Sequence, residues 1–258
     1  MASKINRKIA IRNSRNIGAL WRRHTFLFRN LYRLLRRRYR AFQKRDAVIG
    51  QFSVKKPSSS VGSLDLNRWC FVTDLLRPED WDALKSSWPS TWEFDPVKPR
   101  EIRKIYDTGF RCSEGEFPPR IDRYPNLFAT YQLFSSSEFA NQISELCADG
   151  VKRTCYHIVS NVSWWGSSLV PHTDTFREDD LDAKFHINLI YFVDSNGTGW
   201  DSGGTAVLSD SSYDKPIFIP TNLNNSALVY RSYDLLHGFP SVKFGKFRKA
   251  ITAHFRPI

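Results

Sequence analysis

Two histidines and one carboxylate in the second half of this chain have the composition of a mononuclear metal site. His172 and Asp174 are separated by one residue, and His237 follows His172 by 65 positions. On an extended strand, residues two apart point to the same face, so His172 and Asp174 can bind one metal while Thr173 points away. Two histidines and a carboxylate form the facial triad of non-haem iron and leave metal positions open. The pattern therefore predicts a catalytic iron site.

Arg248 supplies a cation shortly after the third of these residues. Arg248, Ala250 and Thr252 alternate, so they share one face of an extended strand. A fixed guanidinium there can hold a carboxylate through two parallel hydrogen bonds, and the Thr252 hydroxyl can add another. Because Arg248 follows His237 by only 11 positions, a ligand-binding role is favoured over a salt bridge. Three other histidines are expected to be structural: His157, His186 and His254.

The elements that must position these residues are short strands from residue 154 onward. Turn residues separate apolar stretches at 155–162, 185–193, 205–208, 217–219, 227–230 and 250–255. An early proline and acidic residues predict a helix at Pro78, and serines at 135–137 predict a second that ends near Gly150. The Pro-rich segment between the two helices is expected to be irregular. The predicted fold is mainly β with flanking helices, around a jelly roll or distorted barrel.

The N-terminal residues differ sharply in charge from the rest of the chain. Residues 1–56 hold 17 Lys and Arg against one acid, Asp46, whereas residues 57–258 hold 21 basic and 25 acidic residues. Between Ile17 and Phe42, apolar residues recur at helical spacing among arginines, which predicts a basic amphipathic helix. We therefore divide the chain into a basic arm and linker, 1–60, and a folded domain, 61–258.

The basic arm is expected to seek an anionic surface. Four alternatives remain open: docking on a membrane surface, packing on the domain, contact with nucleic acid, and an organellar transit peptide. No apolar run approaches the roughly 18 residues that span a bilayer, and no apolar signal-peptide core is present. Four widely spaced cysteines indicate reduced thiols. We expect a cytoplasmic protein that contacts membranes peripherally.

Over residues 65–258 the chain resembles the prolyl-4-hydroxylase-like branch of the iron(II)- and 2-oxoglutarate-dependent dioxygenases. Five pieces in the family's order carry the resemblance. They are an opening strand and helix start at 71–79, the PHTD metal motif at 171–174, a strand followed by a Trp and a Gly-Gly turn at 189–205, a distal histidine at 237–240, and a co-substrate strand at 248–252.

This resemblance implies a double-stranded β-helix, or jelly roll, that holds Fe(II) through His172, Asp174 and His237. It also implies 2-oxoglutarate as co-substrate, with ascorbate as an optional addition, and the conversion of 2-oxoglutarate to succinate as a substrate is hydroxylated. Related halogenases have a small residue in place of the carboxylate, so Asp174 favours hydroxylation over halogenation. No catalytic residue beyond the metal ligands is implied.

The resemblance also implies residues that hold the co-substrate. Arg248 would anchor its distal carboxylate, Thr252 would contact the same group, and Tyr191 would donate a phenol hydrogen bond. The alignment can slip by one position from Tyr191 onto Phe192. Two polar residues before the metal motif have no clear counterpart in the family: Asn161 and Ser163.

The substrate is not encoded in these motifs, because loops and lids determine it. A membrane-associated or glycan-linked small molecule is favoured, on the hypothesis that the basic arm lies on anionic lipid. The competing enzyme hypothesis is a prolyl-type hydroxylase of proteins or peptides that acts on an acidic or nucleic-acid-bound partner. The non-enzyme alternative is a basic binding module with an inactive jelly roll.

Overall fold

The computed structural model describes residues 59–64, 67–96, 103–104, 106–113, 121–174 and 182–258. The basic arm lies outside these residues up to position 58, so its helix stays a prediction. Helices of the described part are α1 (Pro78–Ser86), α2 (Pro125–Ser135) and α3 (Ser137–Cys147). Its strands are β1 (Ser59–Ser63), β2 (Trp69–Thr73), β3 (Phe94–Pro96), β4 (Arg103–Lys104), β5 (Tyr106–Ser113), β6 (Arg153–Trp164), β7 (Ser168–His172), β8 (Ile187–Ser195), β9 (Ala206–Leu208), β10 (Pro216–Phe218), β11 (Ser226–Arg231), β12 (His237–Phe239) and β13 (Phe247–Pro257).

Among the described residues, these strands form two antiparallel sheets. The larger sheet has the order β1-β2-β11-β8-β13-β6-β5-β3, and the smaller has the order β10-β9-β12-β7-β4. Val207 of the smaller sheet packs in one apolar cluster with Leu228 and Ala250 of the larger, so the two sheets face each other. This arrangement confirms the predicted jelly roll with flanking helices.

The large sheet has a helix-side face and an interior face. On β8 and β13 the odd-numbered apolar residues pack in the cluster that contains the helices: Leu189, Tyr191, Ile251 and Ala253. The even-numbered ones pack in the cluster between the sheets: Ile190, Phe192 and Ala250. A residue's parity on these two strands therefore decides whether its side chain reaches the interior of the jelly roll.

Two helices begin where the sequence predicts. Pro78 opens α1, where its fixed φ suits the first turn and no N–H is needed, and two acidic residues follow it. At α3 the Ser136 hydroxyl accepts a hydrogen bond from the backbone N–H of Phe139, as an N-cap does. The helix ends at Cys147, close to the predicted end at Gly150.

In its described parts, the segment between these helices is regular, so the expectation of an irregular segment was wrong there. It contains β3, β5 and α2, and α2 buries Leu127, Tyr131 and Phe134, which recur at helical spacing after Pro125. The proline content suggested a break, but Pro125 is the first residue of the helix, where proline is tolerated. Strand β1 likewise begins at Ser59, within the predicted linker.

Two further observations concern membrane-spanning helices and the cysteines. In the described part of the chain, no helix has both the length and the apolarity to cross a bilayer. Cys70, Cys147 and Cys155 are free thiols. Burial raises the pKa of the Cys70 thiol to about 12 and that of the Cys147 thiol to about 11, so both are poor nucleophiles.

Candidate active site

His172 and His237 are brought together by the pairing of two short strands. His172 is the last residue of β7, His237 is the first of β12, and the two residues lie directly opposite each other in the antiparallel register. Their ring centroids are 4.4 Å apart. The neighbouring Gly238 allows the strands this close approach, because a Cβ there would lie 2.5 Å from the Leu169 carbonyl oxygen.

Asp174 lies two residues beyond the end of β7, not within a strand as the sequence analysis supposed. Its backbone N–H donates to the carbonyl of Ser232, and the Ser232 N–H and hydroxyl both donate to the carbonyl of His186. The loop before β12 therefore fixes the position of Asp174. Its Oδ1 is 3.5 Å from His172 Nε2, and its Oδ2 is 3.6 Å from His237 Nε2.

Both histidines present the same ring nitrogen to the carboxylate. His172 Nδ1 lies 2.8 Å from the carbonyl oxygen of Val170, and His237 Nδ1 lies 3.0 Å from that of Leu235. Since a carbonyl oxygen only accepts, each Nδ1 carries the hydrogen in the neutral ring, and each Nε2 keeps its lone pair. Hydrogen bonds of this kind, from Nδ1 to a backbone carbonyl, fix the tautomer and ring orientation of a metal-binding histidine.

The three side chains fit a divalent metal in geometry and in charge. One ligand atom from each of His172, Asp174 and His237 lies within 4.8 Å of the others. Burial disfavours the Asp174 carboxylate, but when the imidazoles are protonated His237, a hydrogen bond from His172 and the charge of His254 outweigh it, so the pKa of Asp174 lies below its usual range. Burial lowers the pKa of His237. An ionised carboxylate and neutral imidazoles are the states that bind a metal.

Arg248 lies at the beginning of β13, inside the jelly roll, with 3% of its surface exposed. Its Nη1 donates to the Gly203 carbonyl at 2.6 Å and to the Thr205 hydroxyl at 2.9 Å. Its Nη2 is 3.4 Å from both Asn161 Oδ1 and Ser163 Oγ. The guanidinium also lies over two phenylalanine rings, those of Phe192 and Phe239.

The groups that surround the Arg248 guanidinium form a cradle, and the Gly-Gly turn noticed in the sequence helps to build it. Gly203 has φ +80°, and a Cβ there would lie 2.9 Å from Val242 Cγ2. Only glycine adopts this conformation without strain, and it aims the Gly203 carbonyl at Arg248. The turn therefore fixes the guanidinium from one side, while the adjacent strand β6 contacts it from the other.

The described residues supply neither a negative charge nor a full set of hydrogen-bond acceptors for the Arg248 guanidinium. Within the described part of the chain no carboxylate forms an ion pair with it, and its buried Nε has no hydrogen-bond partner. Burial lowers the pKa of Arg248 to about 9, which expresses the cost of keeping this cation out of water. An anionic group of a ligand would remove that cost, so the cradle fits a carboxylate.

The remaining predicted co-substrate residues fall on different faces. Thr252 lies on the interior face, where its hydroxyl is 3.5 Å from Asn161 Nδ2. Tyr191 lies on the helix-side face of β8, where its hydroxyl donates to Asn225 Oδ1 at 2.9 Å. The structure therefore does not bring Tyr191 to Arg248, and the residue one position on, Phe192, takes the interior place. Asn161, which had no clear counterpart in the family, joins Arg248 to Thr252.

Three residues near the candidate metal triad were not identified from the sequence as part of the site. Asn188 donates through Nδ2 to Asp174 Oδ2, and the Tyr230 hydroxyl is 3.1 Å from the same oxygen. His254, expected to be structural, lies 2.7 Å through Nδ1 from Asn188 Oδ1. Their strands are far apart in the chain, and only the antiparallel register reveals that these residues surround Asp174.

The chain matches known proteins in three-dimensional structure but not in sequence. No family model matches the chain, and no curated protein matches it in sequence. Among solved structures, it matches a prolyl-4-hydroxylase from Pseudomonas putida with a TM-score of 0.51 and 16% identity, over 74% of this chain and 92% of that one. It matches a prolyl hydroxylase from Trichoplax adhaerens, solved with a hypoxia-inducible-factor peptide, with a TM-score of 0.55 and 15% identity, over 75% and 86%.

A third similar structure is HygX from Streptomyces hygroscopicus, solved with nickel and 2-oxoglutarate bound. It has a TM-score of 0.50 and 10% identity, over 74% of this chain and 83% of that one. Together these likenesses define the class of the fold. It is the double-stranded β-helix of the iron(II)/2-oxoglutarate oxygenases, including those of the prolyl-4-hydroxylase-like branch.

Proposed function

We propose that this protein is an Fe(II)- and 2-oxoglutarate-dependent dioxygenase that hydroxylates its substrate. The observation that carries the proposal is the triad of His172, Asp174 and His237, whose ligand atoms converge while both Nδ1 atoms are engaged by backbone carbonyls. Three protein ligands leave metal positions open, which suits chemistry rather than a structural role. The fold shared with oxygenases of this class supports the same conclusion.

Each group in the site has a defined task in such a reaction. The triad would hold Fe(II), which when bound supplies the activation of dioxygen that is coupled to oxidation of 2-oxoglutarate. Arg248 binds and orients the distal carboxylate of that co-substrate, and Asn161 connects Arg248 to the Thr252 hydroxyl beside it. The apolar interior residues around Phe192 exclude water from this end of the site.

Anaerobic titration of the purified protein with Fe(II) and then 2-oxoglutarate tests the proposal. The wild type should develop the weak visible charge-transfer band of chelated 2-oxoglutarate. His172→Ala should lose the band, and Arg248→Ala should need far more 2-oxoglutarate to reach it. Tyr131→Phe, which removes a buried hydroxyl from the helix side, should behave as the wild type. Absence of a band in the wild type would return us to the basic binding module with an inactive jelly roll.

We propose, as the finer hypothesis, that the substrate is a membrane-associated or glycan-linked molecule. The support is the basic composition of residues 1–56, which lie outside the described part of the chain. Charge reversal at Arg36, Arg37 and Arg38 in the full chain should abolish binding to anionic liposomes. Equal binding of the variant and the wild type would exclude this role for the arm.

A prolyl-type hydroxylase of proteins or peptides is the second candidate. The observation that favours it is the shared fold with two prolyl hydroxylases, one of them solved with a peptide. Salt-dependent binding of the full chain to RNA in place of liposomes would support a nucleic-acid-bound protein substrate. Hydroxylation of proline in such a partner, detected by mass spectrometry, would establish this candidate over the first.

A further inference from the structure

We propose that Asn188 and Tyr230 hold one oxygen of Asp174 away from the metal, so that this carboxylate binds through its other oxygen alone. His254 supports the arrangement from behind Asn188. We call these three residues the Asp174 clamp. The inference rests on the proposed function, because it concerns how the iron ligand is positioned. It assigns roles to residues of this chain that the metal motif does not include.

Asn188 has an orientation that the surrounding hydrogen bonds determine. It lies on the interior face of β8 with 1% of its surface exposed. Its Nδ2 donates to Asp174 Oδ2, and its Oδ1 lies 2.7 Å from His254 Nδ1. The ionised Asp174 carboxylate only accepts, so it requires the NH₂ group of Asn188 on its side and leaves the amide oxygen facing His254. In the tautomer with hydrogen on Nδ1, His254 donates to that oxygen and supports this orientation.

Tyr230 approaches the same carboxylate oxygen from β11. Its hydroxyl lies 3.1 Å from Asp174 Oδ2 and 3.1 Å from His237 Nε2, and its ring packs at 4.6 Å from the His237 ring. The hydroxyl has one hydrogen for these two acceptors. When His237 gives its lone pair to a metal, Asp174 Oδ2 is the acceptor that remains. Metal binding would therefore direct the Tyr230 hydrogen bond to Asp174.

The two donors act on Oδ2, which lies 3.6 Å from His237 Nε2, whereas Oδ1, 3.5 Å from His172 Nε2, receives neither of them. A carboxylate whose second oxygen has no donor is free to rotate and bind a metal through both oxygens, as carboxylates often do. Binding through both oxygens would fill a metal coordination position that 2-oxoglutarate needs. Hydrogen bonds to a metal-binding carboxylate prevent such rotation. Loss of a residue that donates such a hydrogen bond typically lowers metal affinity about 10- to 100-fold. The clamp residues are therefore positioning residues.

Co(II) binding tests the clamp without turnover, because the visible spectrum of Co(II) reports its coordination number. Asn188→Ala should weaken Co(II) binding about 10- to 100-fold, and Tyr230→Phe should weaken it less. Both spectra should shift towards a higher coordination number. His254→Leu should reproduce part of the Asn188→Ala effect, whereas His254→Gln, which keeps a donor, should restore wild-type binding.

Matched controls separate the clamp from folding. Asn196→Ala removes an exposed amide that donates to the Gly245 carbonyl, and Tyr131→Phe removes a buried hydroxyl that contacts Ser160. Both should bind Co(II) as the wild type does. Thermal unfolding of the metal-free variants should show that Asn188→Ala and Tyr230→Phe are folded at the temperature of the titration. If Asn188→Ala does not fold, Co(II) binding by Tyr230→Phe, His254→Leu and His254→Gln tests the clamp instead.

Three results would overturn the clamp. Unchanged affinity and spectrum in Asn188→Ala and Tyr230→Phe, with wild-type binding that still requires His172, would refute it and leave the proposed function intact. A phenolate-to-iron(III) absorption band that Tyr230→Phe abolishes would make Tyr230 a metal ligand rather than a positioning residue. Absence of any His172-dependent metal binding in the wild type would remove the proposed function and the clamp together.

Discussion

Two arginines of the described residues are almost completely buried, and their surroundings are opposite. Arg153, at the start of β6, donates to both oxygens of Asp149 at 3.0 and 2.6 Å and to the carbonyls of Val151 and Phe185. Arg248, at the start of β13, has no carboxylate partner among the described residues and leaves Nε unpaired. One site is complete without a ligand, and the other is not.

The difference distinguishes a structural cation from a binding cation. A buried charge is costly unless it is paired and hydrogen-bonded. For Arg153 the chain supplies the partner itself. Burial opposes ionisation of Asp149, but the bonds from Arg153 and from the Val151 N–H outweigh it and lower the pKa of Asp149. For Arg248 the chain supplies only neutral acceptors, so the full compensation must come from a bound anion.

Replacement of Arg153 by methionine should have the largest effect on stability. Arg153→Met removes the main partner of Asp149 and leaves two carbonyls without this donor. Because Asp149 is partly exposed and keeps Arg231 at 3.5 Å, the loss should lie at the low end of the about 3–5 kcal/mol of unfolding free energy that breaking a buried pair costs. Urea denaturation measures the loss. Arg231→Met is the control, because Arg231 is more exposed and lies 3.5 Å from the same carboxylate; an equal loss in both variants would mean that Arg153 has no special role.

The same substitution at Arg248 should affect ligand binding and leave stability nearly unchanged. Arg248→Met removes a desolvated cation, which offsets the loss of its bonds to Gly203 and Thr205, each worth about 1.5–3 kcal/mol because the donor is charged. The unfolding free energy should therefore change by less than about 1 kcal/mol. Without the guanidinium, 2-oxoglutarate should bind the Fe(II) protein about 100-fold more weakly, as measured anaerobically by the charge-transfer band.

A large loss of stability in Arg248→Met with normal ligand binding would contradict the distinction between Arg153 and Arg248. If this variant lost as much unfolding free energy as Arg153→Met and bound 2-oxoglutarate normally, Arg248 would be a second structural arginine. Addition of Mn(II) and 2-oxoglutarate gives an independent measurement. Ligand at about 100 times its Kd should raise the unfolding free energy of the wild type by about 2.7 kcal/mol, and the same concentration should hardly stabilise Arg248→Met.

Thr252 should contribute less to the same site than Arg248. Its hydroxyl makes only a 3.5 Å contact with Asn161, so Thr252→Val should leave stability nearly unchanged. If the hydroxyl contacts the co-substrate, as the family resemblance implies, loss of this one neutral donor should weaken 2-oxoglutarate binding by about tenfold or less. Titration of the Fe(II) protein measures this. A loss as large as that of Arg248→Met would make Thr252 an equal partner in the anchor.

The candidate metal triad and Arg248 could be proposed from the sequence because their signals are local. His172 and Asp174 form a short motif, and Arg248 lies on a strand whose alternation is visible. Asn188 and Tyr230 carry no such signal. Each is a single polar residue in an apolar stretch, and they meet Asp174 only through the register of β8 with β11. Contacts of this kind depend on tertiary structure, which periodicity does not encode.

The placement of Tyr191 shows a second limit of sequence reasoning. Every residue of β8 is buried, so the strand has no alternation of apolar and polar residues that would show which residues face the interior. A shift of one position moves a side chain to the other face. Family resemblance therefore suggested Tyr191 as a co-substrate contact, while the structure places Phe192 beside Arg248 and Tyr191 beside the helices.

Tyr191→Phe is the smallest of the expected effects and tests that placement directly. The variant loses the buried hydrogen bond to Asn225 and should lose about 1 kcal/mol of unfolding free energy. Its affinity for 2-oxoglutarate should equal that of the wild type, because the phenol points away from Arg248. Urea denaturation and the anaerobic titration measure the two quantities on one preparation. A loss of about tenfold in affinity would restore Tyr191 to the co-substrate site, since it exceeds what a residue on the opposite face of β8 can cause without a change in fold. The Tyr191 phenol would then share in binding the carboxylate, and Arg248 would no longer be its main determinant.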